Sequence, residues 1–216
     1  MHWQGRQAGQ QTGPSVRTAG LCALTPVATP LGWRVAGDLG PGDLMLTMQG
    51  TPAPVLTCHH FATTDTAATP LSLWPLRVPA WALENRADLV LLPGQGVMID
   101  CDLAEILYGD PLVVLPAMAL EGWRGITRAP PHPGAASVEL TFALDVVIYA
   151  SRSLWLTCPG APPGADPWHQ SGDHSTLSLS QSRHLVACLI GQDAGAALCQ
   201  TELPPLRQAA LRAPRE

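Results

Sequence analysis

Proline and glycine content is the feature that most restricts the fold of this 216-residue chain, which contains 22 Pro and 20 Gly. Pro lacks a backbone N–H and Gly costs backbone entropy when ordered, so long helices fit only limited stretches. Between residues 20 and 158, short apolar or alternating runs recur about every ten residues, bounded by Gly, Pro, Asp and Asn. This spacing predicts a mainly β body of many short antiparallel strands, arranged as a sandwich or barrel and not as βαβ units.

The segments outside this body differ from it in composition. Residues 1–19 are polar and without periodicity, which predicts a flexible arm. Residues 159–175 are rich in Pro and Gly and are predicted to form a linker. Residues 176–216 are predicted to form a small α-helical tail, because Ser178 and Gln181 have the spacing of a capping box and Pro204-Pro205 is suited to open a second short helix.

Charge and hydropathy exclude several partner classes. The net charge is −5, and the 12 basic residues, all Arg, form no cluster, which argues against binding nucleic acid through its phosphates. Charges or Pro interrupt every apolar run before the roughly 18 residues that span a bilayer. With no apolar signal segment at the start, the default expectation is a cytoplasmic protein, and export without a cleaved signal is the alternative. A protein partner is left open.

Soft metal ligands occur in two places. Cys58, His59 and His60 are consecutive, but neighbours on a strand point to opposite faces, so both His side chains do not share one ion easily. We interpret them as structural or exposed, and a β protein binding metal through Cys58 and one His is the weaker alternative. His184 and Cys188 share one helical face. We interpret Cys188 as a buried side chain of an amphipathic helix and predict no metal or cofactor.

Motifs of the common enzyme classes are missing. The chain has no G-x-S-x-G, G-x-x-x-x-G-K-[ST], G-x-G-x-x-G or H-E-x-x-H sequence. The sequence therefore does not predict an α/β-hydrolase, a P-loop protein, a Rossmann fold or a zincin, because each needs one of these motifs. Three carboxylates that could act in general acid–base catalysis lie close together in the sequence, at Asp100, Asp102 and Glu105. Carboxylates at the end of a strand are more often solvated surface, and we predict that role for them.

One long stretch carries a family resemblance. Residues 20–47, GLCALTPVATPLGWRVAGDLGPGDLMLT, resemble the opening block of Hint (Hedgehog/intein) domains, in which a nucleophile precedes a Thr, a strand, a turn and a G-D-x-V-L-T run. Residues 88–99, DLVLLPGQGVMI, are similar to the block that carries S/T-P-x-H. Residues 112–126 and 146–158 resemble the V-P-A-x-x-L segment and the closing strand pair of bacterial Hint-domain proteins. The resemblance implies a Hint-like fold over residues 20–158.

The resemblance also implies where the family's chemistry would lie. A Cys or Ser at the first residue attacks the preceding carbonyl, and a His in the second block acts as acid and base. Counted back from Thr25, the nucleophile position is Gly20, and Cys22 follows two residues later. The block His corresponds to Gln95, whose amide does not exchange protons near neutral pH. The candidate roles are therefore Cys22 as nucleophile, Thr25 as assisting hydroxyl and Gln95 as oxyanion donor.

The closing motif of the family is altered as well. Its H-N-C sequence falls at Leu156-Thr157-Cys158, which keeps the thiol and loses the His and the cyclising Asn. With all three chemical positions changed, the resemblance implies a catalytically degenerate scaffold or interaction module. The alternative is an autoprocessing domain that cleaves itself by an N–S acyl shift near residues 20–22. If Cys22 has no catalytic role, we expect it to be a small buried side chain on the first strand.

Overall fold

The protein is mainly β, as predicted. The structure, a computed structural model, describes residues 17–62, 69–132, 135–160 and 174–202. These residues form strands and two α-helices, in the order β1 Leu21–Cys22, β2 Pro26–Thr29, β3 Gly32–Val35, β4 Leu44–Met45, β5 Ala53–Pro54, β6 Thr57–Ala62, β7 Leu76–Val78, β8 Leu89–Leu91, β9 Gly96–Asp100, α1 Asp102–Tyr108, β10 Leu112–Pro116, β11 Thr127–Arg128, β12 Ala136–Thr141, β13 Val146–Ala150, β14 Leu154–Cys158, β15 Ser175–Thr176 and α2 Leu179–Glu202.

The strands form one large sheet and three small ones. The large sheet has seven strands in the order β15-β10-β9-β14-β13-β2-β3, and the others are β1-β12-β6, β11-β7-β8 and β4-β5. The pairing is antiparallel, as predicted, except that β10 and β15 run parallel. Because β15 belongs to the large sheet, the sheet continues past the domain boundary predicted at residue 158. The predicted helix at 204–212 and most of the predicted arm and linker lie outside the described residues.

Both faces of the large sheet are apolar. Along β14, Leu154, Leu156 and Cys158 are buried, whereas Trp155 and Thr157 are only partly buried, which is the two-residue alternation of a strand. The first set joins the main core of the body, and Trp155 packs with the second, smaller apolar cluster. The sheet therefore holds the closing segment of the resemblance, residues 154–158, in the middle of the fold.

The C-terminal helix α2 is capped at its start and packs on the body through its first half. At its start, the backbone N–H of Gln181 donates to Ser178 Oγ (3.3 Å) and the backbone N–H of Ser178 donates to Gln181 Oε1 (3.0 Å), which confirms the predicted capping box. Further along, Leu185 and Leu189 are buried in the main core. Among the described residues, no helix combines the length and apolarity needed to cross a membrane.

A carboxylate on α2 forms a second connection to the body. Asp193 accepts hydrogen bonds from Arg124 (2.9 and 3.2 Å) and from the indole N–H of Trp123 (2.9 Å). The bonds from Arg124 and, to a lesser extent, from Trp123 lower the pKa of Asp193. A group whose pKa is lowered by folding stabilises the fold above its unfolded pKa of about 3.9, and this contribution is lost as the pH falls.

Replacing this carboxylate should loosen α2. We expect Asp193→Ala to lower the free energy of unfolding by about 1–3 kcal/mol, mostly because the buried Trp123 N–H loses its acceptor, since the half-exposed ion pair itself contributes about 1 kcal/mol or less. Asp193→Asn keeps an acceptor for Trp123 and should lose less than half as much. Urea titrations of the two variants measure the difference, and equal losses would contradict the role of the indole bond.

Candidate functional site

The segment just before β1 is held against the body. The carbonyl of Thr18 accepts the backbone N–H of Gly94 at 2.6 Å. Arg17 forms an ion pair with Glu139 on β12, and its guanidinium lies over the ring of Phe61, 3.7 Å from the ring centroid. The chain therefore enters the nucleophile position along a fixed path between the loop before β9 and strands β12 and β6.

Gly20, at the nucleophile position, has a backbone that excludes most side chains. Its φ is +109°, and a Cβ placed on it would lie 2.9 Å from the carbonyl oxygen of Val138. Real Cβ atoms do not approach backbone oxygen that closely, and a positive φ is unfavourable for L-residues. Gly94 is restricted in the same way, because its Cβ would lie 2.9 Å from the carbonyl oxygen of Thr18. Because Gly20 and Gly94 have no Cβ, the entering segment is able to lie close to β12 and to the loop before β9.

Gln95, at the position of the block His, connects two distant segments. It is buried, with 3% of its surface exposed, and its Nε2 donates to the carbonyl oxygens of Gly96 (3.0 Å) and of Thr157 (2.8 Å). An amide group has two N–H donors, so both are occupied. The side chain therefore holds the loop before β9 against the closing strand β14.

Cys22 lies in an environment that keeps its thiol protonated. It is in β1, opposite Ser137 on β12, and burial raises its pKa to about 11. Thr25 is buried, and its backbone N–H donates to the carbonyl oxygen of Cys22 at 2.9 Å. In the part of the chain that the structure describes, no hydrogen bond joins the Cys22 thiol to a base. Because the thiolate is the nucleophilic form, this environment suppresses reactivity.

Cys158 is the second thiol near a position where the family places chemistry. It is buried in the main core, and burial raises its pKa to about 12. Its neighbour Thr157 contributes a carbonyl to Gln95, as described above, and its side chain lies where a Cβ on Gly96 would overlap it. Gly96 is thus required for the closing strand β14 to approach the loop before β9, which carries Gln95 and is called the block loop below.

The structure brings some of the predicted site residues together and not others. Gln95 and Thr157 are in direct contact, and Gly94, next to Gln95, contacts the entering segment through Thr18. No hydrogen bond links Cys22 or Cys158 to this group among the described residues. Thr18 and Gly94 were missed by the sequence analysis, although the position of Gly94 beside the block residue was a usable signal.

The other candidates remain incomplete as sites. Cys58 Sγ lies 3.3 Å from His60 Nε2, on the same face of β6, and its S–H donates to the carbonyl oxygen of Leu39 at 3.2 Å. Groups of three or more metal-ligating side chains are absent from the described residues. Asp100, Asp102 and Glu105 are exposed, which fits the predicted solvated surface, and the last two lie on α1, a helix that the sequence analysis did not predict.

This arrangement, with a block loop that contacts both an entering and a closing segment, defines a Hint/intein-like domain. The model of the family described as Hint domain matches residues 19–155, more than half of the chain. The protein therefore belongs to the Hint domain family.

Solved structures with a similar fold are inteins and intein-like domains. A bacterial intein-like domain from Clostridium thermocellum is 9% identical, with a TM-score of 0.46, and the match covers 65% of this chain and 99% of that one. The MchDnaB-1 intein is 16% identical, with a TM-score of 0.37 and coverage of 64% and 98%. No curated protein matches the sequence.

Proposed function

We propose that this Hint domain is a catalytically degenerate scaffold that acts as an interaction module. The observation that carries the proposal is the conformation of Gly20. The family requires a Cys or Ser there, and the backbone at this position, with φ of +109° and the Val138 carbonyl oxygen 2.9 Å from a Cβ, does not accommodate one without rearrangement.

The residue at the general-base position supports the same conclusion. An autoprocessing centre needs a group that moves a proton to the leaving amide nitrogen. Gln95 has no proton to exchange near neutral pH, and both of its N–H donors are used in structural hydrogen bonds to Gly96 and Thr157. In this proposal the family's catalytic position has become a clamp between the block loop and β14.

An accessible sheet edge supports the interaction role. Strand β3 ends the seven-stranded sheet, so one side of its backbone is open to pairing with another chain. Leu31, in the turn between β2 and β3, is 96% exposed, and Trp33 on β3 is 46% exposed. A protein partner that adds a strand here would cover both apolar side chains.

The competing function is self-cleavage through Cys22. In that reaction the Cys22 thiol loses its proton and attacks the carbonyl carbon of Leu21. The Leu21–Cys22 peptide bond breaks, the Cys22 nitrogen takes up a proton, and a thioester to residues 1–21 results. The observation in its favour is the ordered approach of the entering segment, where the Gly94 N–H binds the Thr18 carbonyl. The partly buried thiol, whose pKa is raised by desolvation, opposes it.

Intact-mass measurement of the full chain separates the two functions. Hydroxylamine and dithiothreitol both cleave a thioester, so an autoprocessing chain would release residues 1–21 during incubation with either reagent. We expect an unchanged mass, identical to that of the matched Cys22→Ala variant under the same conditions. Release of residues 1–21 from the unmodified chain, with none from Cys22→Ala, would refute the degenerate scaffold.

A further inference from the structure

A thiol, an imidazole and a phenol meet where α2 packs beside α1. His184 and Cys188 are one turn apart on α2, with His184 Nε2 3.9 Å from Cys188 Sγ. Tyr108, the last residue of α1, places its hydroxyl 3.2 Å from His184 Nδ1. Cys188 is half-buried and not buried as the sequence analysis predicted, and His184 is exposed. His184 and Cys188 lie outside residues 19–155, which match the Hint family, whereas Tyr108 lies within them.

One assignment of hydrogens satisfies both contacts of the Tyr108 hydroxyl and places the proton of His184. The Tyr108 hydroxyl has one hydrogen and donates it to the backbone carbonyl of Gln181 at 3.0 Å. Its oxygen is therefore the acceptor for His184, so the Nδ1 atom carries the hydrogen. In the neutral ring this leaves the lone pair on Nε2. Nε2 is the nitrogen that faces the Cys188 thiol, so the imidazole is oriented as a base for it.

The other thiols in the described residues lie in surroundings that differ from those of Cys188. Burial raises the pKa of Cys22, Cys58, Cys101 and Cys158. Cys58 is half-buried like Cys188 and also lies near an imidazole, but its S–H is donated to the carbonyl of Leu39. Among these residues, Cys188 alone combines partial exposure with an imidazole acceptor and no carbonyl acceptor. A thiol paired with a base oriented by a third group has the arrangement of an activated nucleophile.

We propose that Cys188 is a reactive surface thiol that exchanges with low-molecular-weight disulfides, with His184 as its base. The thiol proton moves to His184 Nε2, and the thiolate attacks one sulfur of the small disulfide. The bond between the two sulfurs of that disulfide breaks as the bond to Cys188 Sγ forms. The departing thiolate takes the proton from His184, so the exchange is balanced and leaves the chain carrying a mixed disulfide. This modification site is independent of the proposed Hint scaffold.

Alkylation of the folded chain tests the reactivity of the thiol. Cys188 and Cys199 fall in one tryptic peptide, so the measurement uses a Cys199→Ser chain, treated with iodoacetamide and followed by peptide mass spectrometry. We expect Cys188 to be labelled about tenfold or more faster than Cys58, because base assistance commonly gives factors of this size or larger. Labelling of Cys188 at or below the rate of Cys58 would overturn the proposal.

Two variants of His184 test the base. Asn places an amide N–H near the Nδ1 position, so His184→Asn is able to keep the bond to Tyr108 while removing Nε2, and His184→Gln removes the base in a second geometry. We expect both to slow labelling of Cys188 about tenfold and to leave Cys58 within twofold of its original rate. The exposed position of His184 favours retention of the fold, which circular dichroism checks. An unchanged Cys188 rate in either folded variant would refute a role for His184.

Oxidised glutathione tests the disulfide chemistry directly. We expect incubation of the folded chain to place one glutathione on Cys188, reversible by dithiothreitol, with slower formation in His184→Asn. The long-range nitrogen–proton NMR pattern of His184 should show the hydrogen on Nδ1 and shift towards a mixture of tautomers in Tyr108→Phe. Rapid alkylation of Cys188 without a mixed disulfide, or a His184 ring with its hydrogen on Nε2, would contradict the proposal.

Discussion

Restoring the family's nucleophile by Gly20→Cys should destabilise the protein by about 2–6 kcal/mol and should not restore cleavage. A positive φ costs a non-glycine residue about 1–3 kcal/mol, and the Cβ would lie 2.9 Å from the carbonyl oxygen of Val138, so β1 or β12 must shift at a cost of about 1–3 kcal/mol. Cleavage stays blocked because Gln95 still has no proton to give to the leaving nitrogen.

Gly32→Cys is the matched control for this variant. Gly32 has a φ of +113°, close to that of Gly20, but no atom lies within 4 Å of its Cβ position. The control therefore carries the conformational cost of about 1–3 kcal/mol without the collision. Urea denaturation of both variants measures the difference, and intact mass after hydroxylamine treatment measures cleavage. Equal stability of the two variants, or release of the arm from Gly20→Cys, would show that the position still accepts a nucleophile.

The fold was predictable from the sequence because its signals are local. Turn residues bound each short strand, and burial along β14 alternates with a two-residue period, as the geometry of a strand requires. The capping box at Ser178 lies within four consecutive residues. The parallel pairing of β15 with β10 was not predictable in this way, since it joins segments more than sixty residues apart in sequence.

The candidate site was predictable only in part, because its contacts are long-range. The change from His to an amide at Gln95 is visible in the sequence, but its role as a clamp depends on the carbonyl of Thr157, which is 62 residues away. Likewise, the hydroxyl that contacts His184 beside Cys188 comes from Tyr108 on α1, a helix of seven residues that is too short to show a clear period. The carbonyl of Val138, which restricts Gly20, comes from yet another strand.

The clamp formed by Gln95 leads to a prediction with a distinct dependence on pH. In Gln95→Glu, a carboxylate would occupy a buried position facing the carbonyl oxygens of Gly96 and Thr157, with no donor to offer either one. Burial and repulsion by these oxygens disfavour the charged form, so folding raises the pKa of the new Glu above its unfolded value of about 4.3. When protonated, the side chain keeps one donor in place of two, at a cost of about 1 kcal/mol.

The sign of the dependence follows from linkage. A group whose pKa is raised by folding is tolerated best below its unfolded pKa, and stability falls by about 1.4 kcal/mol for each pH unit until the folded pKa is passed. We expect the deficit of Gln95→Glu relative to the original chain to grow between pH 4 and pH 7, by up to about 3 kcal/mol where the folded pKa lies above this range. Urea titrations at several pH values, on both chains, measure it.

Gln95→Met separates the effect of charge from the loss of the clamp. Met has a similar volume and no donor, so it should lower the free energy of unfolding by about 1–3 kcal/mol, because the carbonyls of Gly96 and Thr157 lose their partner, and this loss should not vary with pH. A parallel pH dependence of the Glu and Met variants would mean that residue 95 is solvated in the folded protein. Its amide would then be available to a substrate, and the argument that it serves as a structural clamp would fail.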